Sequence, residues 1–348
     1  MAKKKQKKRT PPMGRAYHIL VGLSAVIVLA FCGWKLLVPP PKVPAPPVPT
    51  PPIAGGAELP NAPAALQRKD LTYTFLLAAS DQVSGNSDTI MVATYDVKNQ
   101  KVGLASLPRD TLVSRKIGKH SYHKLNAAYA LGGVEELKAA VSDLLGIPID
   151  FYITVDVKSF VKIVDAAGGI DFEVPVYMNY DAPDQDLHIH YEPRLYRDLT
   201  GQQVLEIARC RKNSDGEGTY PNNIYDAYPD ADIGRSRTQQ ALMKAVAKKL
   251  VSWSSIPKIT HFVEILNQSV KTDLTLDNML YFATSALQVD LETGLSSGTF
   301  AGDGTVTYKG SKWCYQYDKP AALEMINNLL NPYTTAVTED MTHILQAK

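Results

Sequence analysis

Four groups of charged residues in this chain have the types and spacing of a site for a bound anion. Asp81 and Asp88 flank a short loop in ASDQVSGNSDT. Two carboxylates seven residues apart could share a hard cation such as magnesium, which takes one or two carboxylates and leaves its other positions to water and phosphate. They are also residues that turns favour in their own right. Arg109 and Asp110 follow a proline in ASLPRDTLV, where an apolar run ends. An exposed ion pair contributes only about 0–1 kcal/mol, so stability is a weak reason to find one there. Arg209 and Arg211 flank Cys210 in ARCRKN. In an extended segment the cysteine would face the core and the two guanidinium groups would stand side by side, a planar pair suited to phosphate. A solvated basic loop is the alternative. Arg235 and Gln239, in DIGRSRTQQAL, are four residues apart near a predicted helix start and share a face. The free N–H groups and positive dipole end of that turn favour an anion, though capping and a charged helix face explain the same letters. Taken together, the four groups describe carboxylates for a cation and arginines around an anion, the chemistry of a bound pyrophosphate.

The elements that would position these residues are legible in outline. TYTFLLAA and TIMVATYD read as strands, and VKNQ turns the second into KVGLASLP as a hairpin. GVEELKAAVSDLLG has helical spacing and ends at a glycine. DFYITV, SFVKIVDAAGG and IDFEVPV alternate strand, helix, strand. GQQVLEIAR and IGRSRTQQALMKAVAKKLVSW are helices, the second with Asp232 as its expected N-cap. Further helices are expected near 259–270, 276–287 and 320–330, with GTFAGDGTVTYKG and KWCYQYD between the last two. This mixture predicts one α/β domain over residues 69–348, a mixed central sheet flanked by helices. The apolar stretches KIVDAAGG and ALMKAVAKKL suit either ordinary core packing or the lining of a lipid cavity.

The N-terminal part has a different character. Residues 1–52 hold nine Lys or Arg and no acid, so the remainder carries 28 bases against 35 acids, a net of −7. An acidic domain argues against sequence-independent nucleic-acid binding, which depends on neutralising phosphates. After the basic tail, residues 1–16, the run YHILVGLSAVIVLAFCGW is free of charge. The span 17–38 is expected to be a transmembrane helix of roughly 30 Å, with its basic flank in the cytoplasm and everything beyond it outside. No small-residue cleavage site follows the run cleanly, which disfavours a signal peptide. PPPKVPAPPVPTPP has nine prolines in fourteen residues. It predicts a semi-rigid polyproline spacer of about 40 Å within an extracellular linker, 39–68. A partner domain could also read it as a ligand.

Other signals are weaker. Cys210 and Cys314 could form one bridge or remain two buried thiols, and no cysteine metal spacing is present. LHIHY places His188 and His190 two apart, which an alternating strand explains without a metal. YPNNIYDAYPDAD suits either a lid or a tolerated surface loop.

The ordered series SDTIMVATYD, SLPRDT, KLNAAYALGG, IDFYITVDVKSFVKIVDAAGGIDFEVP, GQQVLEIARCR and DIGRSRTQQ resembles the LytR-CpsA-Psr (LCP) family of bacterial cell-wall glycopolymer ligases. The resemblance runs from about Thr72 to Gln240, with a weaker continuation to Leu330. It implies an α/β/α fold with a lipid-binding cavity, on the surface of a Gram-positive bacterium. It also implies transfer of a glycopolymer phosphate from a polyprenyl-pyrophosphate carrier to a peptidoglycan hydroxyl, with Mg2+. The polymer could be teichoic acid, capsule or wall polysaccharide. By that resemblance Asp81 and Asp88 hold the magnesium, and Arg109, Lys124, Asn126, Arg209, Arg211, Arg235 and Gln239 surround the pyrophosphate. Either Asp81 or Asp110 would take the acceptor proton. The chain departs from the family pattern at Gln82, Asn86 and Thr238, where arginines are usual, and at Arg194, where glycine is common. A non-catalytic binding module and a polyprenyl-pyrophosphate pyrophosphatase are the rival readings.

Overall fold

The structure is a computed structural model and describes residues 39–43, 66–80, 87–183, 187–210, 212–214, 231–251 and 256–347. The chain divides into two units, Met1–Pro41 and Lys42–Lys348. The expected membrane span, 17–38, lies outside the described residues, as do most of the proline-rich linker and the 215–230 segment. No described helix is long and apolar enough to cross a membrane.

Three strands begin the second unit. β1 (Thr72–Ser80) and β2 (Ser87–Asp96) pair antiparallel, as do β2 and β3 (Lys101–Leu107). Alternation gives β1 two buried faces: Tyr73 and Phe75 enter one core cluster, Leu76 and Ala78 another. Such a strand needs cover on both sides, and helices supply it.

On one side lies α1 (Asn126–Leu145), which buries Leu137, Val141, Leu144 and Leu145. Beside it are α7 (Lys319–Met325) and the following turn of π-helix, Ile326–Leu330. The expected glycine stop is Gly146, left-handed at φ 68°. The helix starts seven residues before the stretch GVEELKAAVSDLLG, bending at Gly133 (φ 70°, ψ −162°). On the other side lie α5 (Ile256–Ser269) and α6 (Leu276–Ala286). Phe282 of α6 meets Tyr73 and Phe75 edge-on at 4.9 and 5.0 Å, an arrangement favoured by the ring quadrupoles.

β6 (Phe151–Asp156) joins β1 in parallel, β12 (Leu295–Thr299) joins β3 in parallel, and β11 (Lys271–Thr272) closes the other edge. The six-stranded order is β11-β6-β1-β2-β3-β12. This is the expected mixed α/β sheet between helices.

The remaining strands form two-stranded sheets rather than extending it. β4 (Leu112–Ile117) and β5 (His120–Lys124) make a hairpin tied to α1, because Arg115 donates to Glu136 and to Asp143, each at 2.9 Å. β7 (Ile170–Glu173), β8 (Met178–Ala182), β9 (Leu187–Tyr191) and β10 (Leu195–Leu199) surround a second core. They pack there with α2 (Val157–Ala166), α3 (Gly201–Arg209) and α4 (Ala231–Val251). β13 (Gly302–Tyr308) and β14 (Ser311–Tyr317) complete the set. Val164 of α2 and Leu242 of α4 are buried in the second core.

Candidate functional site

The end of β3 decides where Arg109 stands. Pro108 has no N–H and stops the ladder after Leu107. The next carbonyls are all taken by neighbouring elements. Asn126 donates its N–H to Arg109 O at 2.9 Å, Tyr315 to Asp110 O at 2.8 Å, and Leu125 to Thr111 O at 2.9 Å. Thr111 closes the turn through its N–H and hydroxyl, both donated to Pro108 O. Bonds from Leu125, α1 and β14 hold the backbone of this turn in place.

Those side chains form a row of alternating charge. Asp110 Oδ2 is 3.5 Å from Arg109 Nε, and its Oδ1 is 3.2 Å from Lys124 Nζ. The opening ion pair of the sequence is therefore real but is half of a larger contact. One carboxylate lies between two cations, Arg109 of the turn and Lys124 at the end of β5. Asn126 enters through its backbone, as the first residue of α1.

The same end of the sheet gathers the other groups. The β1–β2 register sets Ser80 beside Ser87, with an irregularity at Ala79/Ser80, and Ile90 of β2 pairs with Leu107 of β3. The backbone of Asp88 therefore lies at the sheet end from which the Arg109 turn departs. Asp81 and Arg211 lie outside the described residues, and of Asp88 only the backbone is described.

Helix α4 ties this end to the second core. Gln239 accepts from Thr89 Oγ1 at 3.3 Å and donates to Ala208 O at 3.2 Å. One side chain so joins the residue after Asp88 to the residue before Arg209. Arg235, half-buried, sits one turn earlier on the same helix face. Asp232 lies within α4 and not at its N-cap. Arg209 is exposed in the last turn of α3, and Cys210 after it is extended (φ −65°, ψ 125°) and buried. The cysteine faces the core as expected. Burial pushes its thiol up to about 12, which leaves it unreactive. Cys210 and Cys314 are both free thiols, each buried in a different place.

Of the departures from the family pattern, Gln82 and Asn86 lie outside the described residues. Thr238 is buried and donates to Gly234 O at 3.4 Å, while Arg237 beside it is exposed. Arg194 lies over the Tyr196 ring at 4.6 Å, a cation–π contact.

Sequence reasoning missed Gln240. This buried side chain donates through Nε2 to Ser106 Oγ at 2.8 Å and to Gly298 O at 2.7 Å. It thereby fixes α4 against β3, two residues before Pro108. The pair Gln239-Gln240 was visible, but the acceptors come from strands 134 and 58 residues away. Thr89 and Ser106 were hidden for the same reason.

A model of the LytR_cpsA_psr family matches residues 60–331. The polyisoprenyl-teichoic acid–peptidoglycan teichoic acid transferase TagU of Bacillus anthracis is 31% identical over 271 residues, covering 77% of this chain and 81% of its own. The TagU of Halalkalibacterium halodurans is 34% identical over 199 residues, 57% of this chain and 59% of its own. Among solved structures, that of B. subtilis TagV has a similar fold, with a TM-score of 0.61 at 24% identity over 74% of this chain and 95% of that one. The ordered motifs, the sheet that carries them and the match across most of the length agree: the chain belongs to the LytR-CpsA-Psr family.

Proposed function

We propose that this chain transfers a phosphate-linked glycopolymer, of the teichoic acid class, from a polyprenyl-pyrophosphate carrier to a hydroxyl of peptidoglycan. The observation that carries the reading is the fixed Arg109–Asp110–Lys124 row, at the sheet end where Gln239 joins Thr89 to Ala208. The identity to TagU relatives named as teichoic acid transferases supports the same class.

In such a transfer the acceptor oxygen bonds to the polymer's phosphorus. The bridging P–O bond breaks, and the carrier leaves as polyprenyl phosphate. Catalysis is mainly positioning and charge neutralisation. Arg109 and Lys124 present cations to the diphosphate, and Asp110 holds both in place. Arg209 of α3 and Arg235 of α4 extend the positive lining, and the family pattern adds Arg211, which lies outside the described residues. Asp81 and Asp88, the carboxylates that the family pattern assigns to Mg2+, are oxygen donors of the kind that ion takes, and the backbone of Asp88 lies at the sheet end of the Arg109 turn. Bound there, the ion would supply Lewis-acid stabilisation of the diphosphate oxygens. The acceptor's proton passes to a carboxylate of the site, Asp81 or Asp110, as the new P–O bond forms.

The test is release of polyprenyl phosphate from a lipid-linked donor by the purified chain, with Mg2+ and with or without peptidoglycan. Acceptor-dependent release is expected, and Arg109→Ala should reduce it by about 100-fold or more with an unchanged circular dichroism spectrum. Release without acceptor would instead mark a pyrophosphatase. Donor binding without release would mark a binding module. Full transfer by the Arg109 variant would remove that residue from the site.

A further inference from the structure

A second cluster with ligating chemistry lies apart from this site, on the β8–β9 hairpin. The register sets Asp181 opposite His188 and Asn179 opposite His190. Alternation sends Met178, Ala182, Leu187, Ile189 and Tyr191 into the second core. The four polar side chains are left together on the other face. His188 Nδ1 is 2.8 Å from Asp181 Oδ1, and His190 Nε2 is 3.2 Å from the same oxygen. One donor atom from each of the three residues lies within 4.8 Å of the others.

Three features make this more than a pair of surface histidines. First, the spacing suits a metal. Donors bound tetrahedrally at about 2.0–2.1 Å stand roughly 3.3 Å apart, so the two short contacts need open by only a few tenths of an ångström. Second, the His190 ring meets an oxygen on each side, because its Nδ1 is 2.8 Å from Asn179 Oδ1. A neutral imidazole has one N–H. If that proton is donated to Asn179, the Nε2 lone pair faces a carboxylate, and a cation between them relieves the repulsion. A ligating histidine usually donates its other N–H to an oxygen in this way. Third, the strand is held. Asn179 donates its N–H to Asn213 Oδ1 at 3.0 Å, Asp181 to Ser214 Oγ at 3.0 Å, and Ser214 returns its N–H to Asn179 O at 2.7 Å.

We propose that Asp181, His188 and His190 form a binding site for a divalent transition ion of the zinc class, with Asn179 orienting His190. Two imidazole nitrogens and one carboxylate select such an ion over magnesium. Three protein ligands leave at least one position for water or an anionic oxygen. The site uses none of the carboxylates proposed for magnesium.

The test uses the full-length chain, without a histidine tag, stripped with chelator and titrated calorimetrically with Zn2+ alone in excess Mg2+. One Zn2+ per chain is expected. His188→Ala and His190→Ala should each abolish the heat, while Asn179→Ala should weaken binding by about tenfold. His261→Ala, an exposed histidine on α5, should leave it unchanged. Substituted Co2+ should give the visible bands of a tetrahedral ion, lost in the His190 variant. No heat with the unaltered chain would mean a hydrogen-bonded pair only, and would overturn the proposal. Equal binding by both hairpin-histidine variants, or displacement of Zn2+ by Mg2+, would overturn it as well.

Discussion

Asp110 is the residue whose role the geometry sharpens most. Its two carboxylate oxygens face different cations, Arg109 and Lys124, which suits a brace better than a proton acceptor. The two roles predict different kinetics. Asp110→Asn as a lost brace should raise the donor KM by roughly tenfold, the cost of about 1.4 kcal/mol, and leave the shape of the pH–rate profile intact. A large fall in kcat with loss of the acidic limb of that profile would make Asp110 the base. How much of the site was legible follows from the same residues. Arg109 and Asp110 could be picked out because they follow an apolar run that ends in a proline, and Lys124 only through the resemblance to the family. Their meeting could not, since it depends on β5 returning beside the β3 turn. Gln240 was illegible for a related reason: a polar residue in a mostly polar helix carries no mark of burial until its acceptors are known.

At the scale of elements, hairpins and helices were readable where local chemistry decides them. The β2–β3 turn over VKNQ is one case, with Asn99 held by Asp96 at 2.9 and 2.7 Å. Helix α3 is another: Thr200 and Gln203 form a capping box. The β4–β5 hairpin was not readable, because its strands are short and interrupted by a register shift between Leu112 and Arg115. Helix α1 was only half read, since Gly132-Gly133 looks like a boundary and is instead a bend. The start of α3 carries a prediction. A Cβ on Gly201 would lie 2.2 Å from Val161 O, backbone of α2 that cannot easily yield. Gly201→Ala should therefore destabilise the domain by about 1–3 kcal/mol through overpacking, measurable as a lower melting temperature. It should also raise the donor KM, because α3 carries Ala208 and Arg209 at its far end. An unchanged melting temperature would show that α2 and α3 can part without cost.

At the scale of the molecule, strand order was the part no sequence pattern supplied. β6 and β12 enter the sheet in parallel beside β1 and β3 from distant parts of the chain, and periodicity says which segments are strands but not which neighbours they choose. One long-range contact anchors the whole arrangement. Arg68 grips Asp150 with two parallel bonds, 2.7 and 2.6 Å, and the carboxylate is only 2% exposed. Asp150 also accepts from the N–H and hydroxyl of Thr74 in β1, at 2.8 and 2.9 Å. Removing one partner of a buried pair strands the other, at a cost of about 3–5 kcal/mol. Arg68→Ala should lose stability on that scale in urea denaturation, and a loss below 1 kcal/mol would show that water reaches Asp150.

The position of Arg68 has a mechanical consequence. It stands where the proline-rich linker gives way to β1, and the chain beside it is sewn to the C-terminal segment: Lys69 donates to Pro332 O, Thr334 to Gln67 O, and Arg68 bridges Tyr333. A pull on the chain just ahead of Gln67 would load these bonds and the Arg68–Asp150 fork together before it reached β1, so the seam between the two ends of the domain takes the force ahead of the strand that carries the sheet.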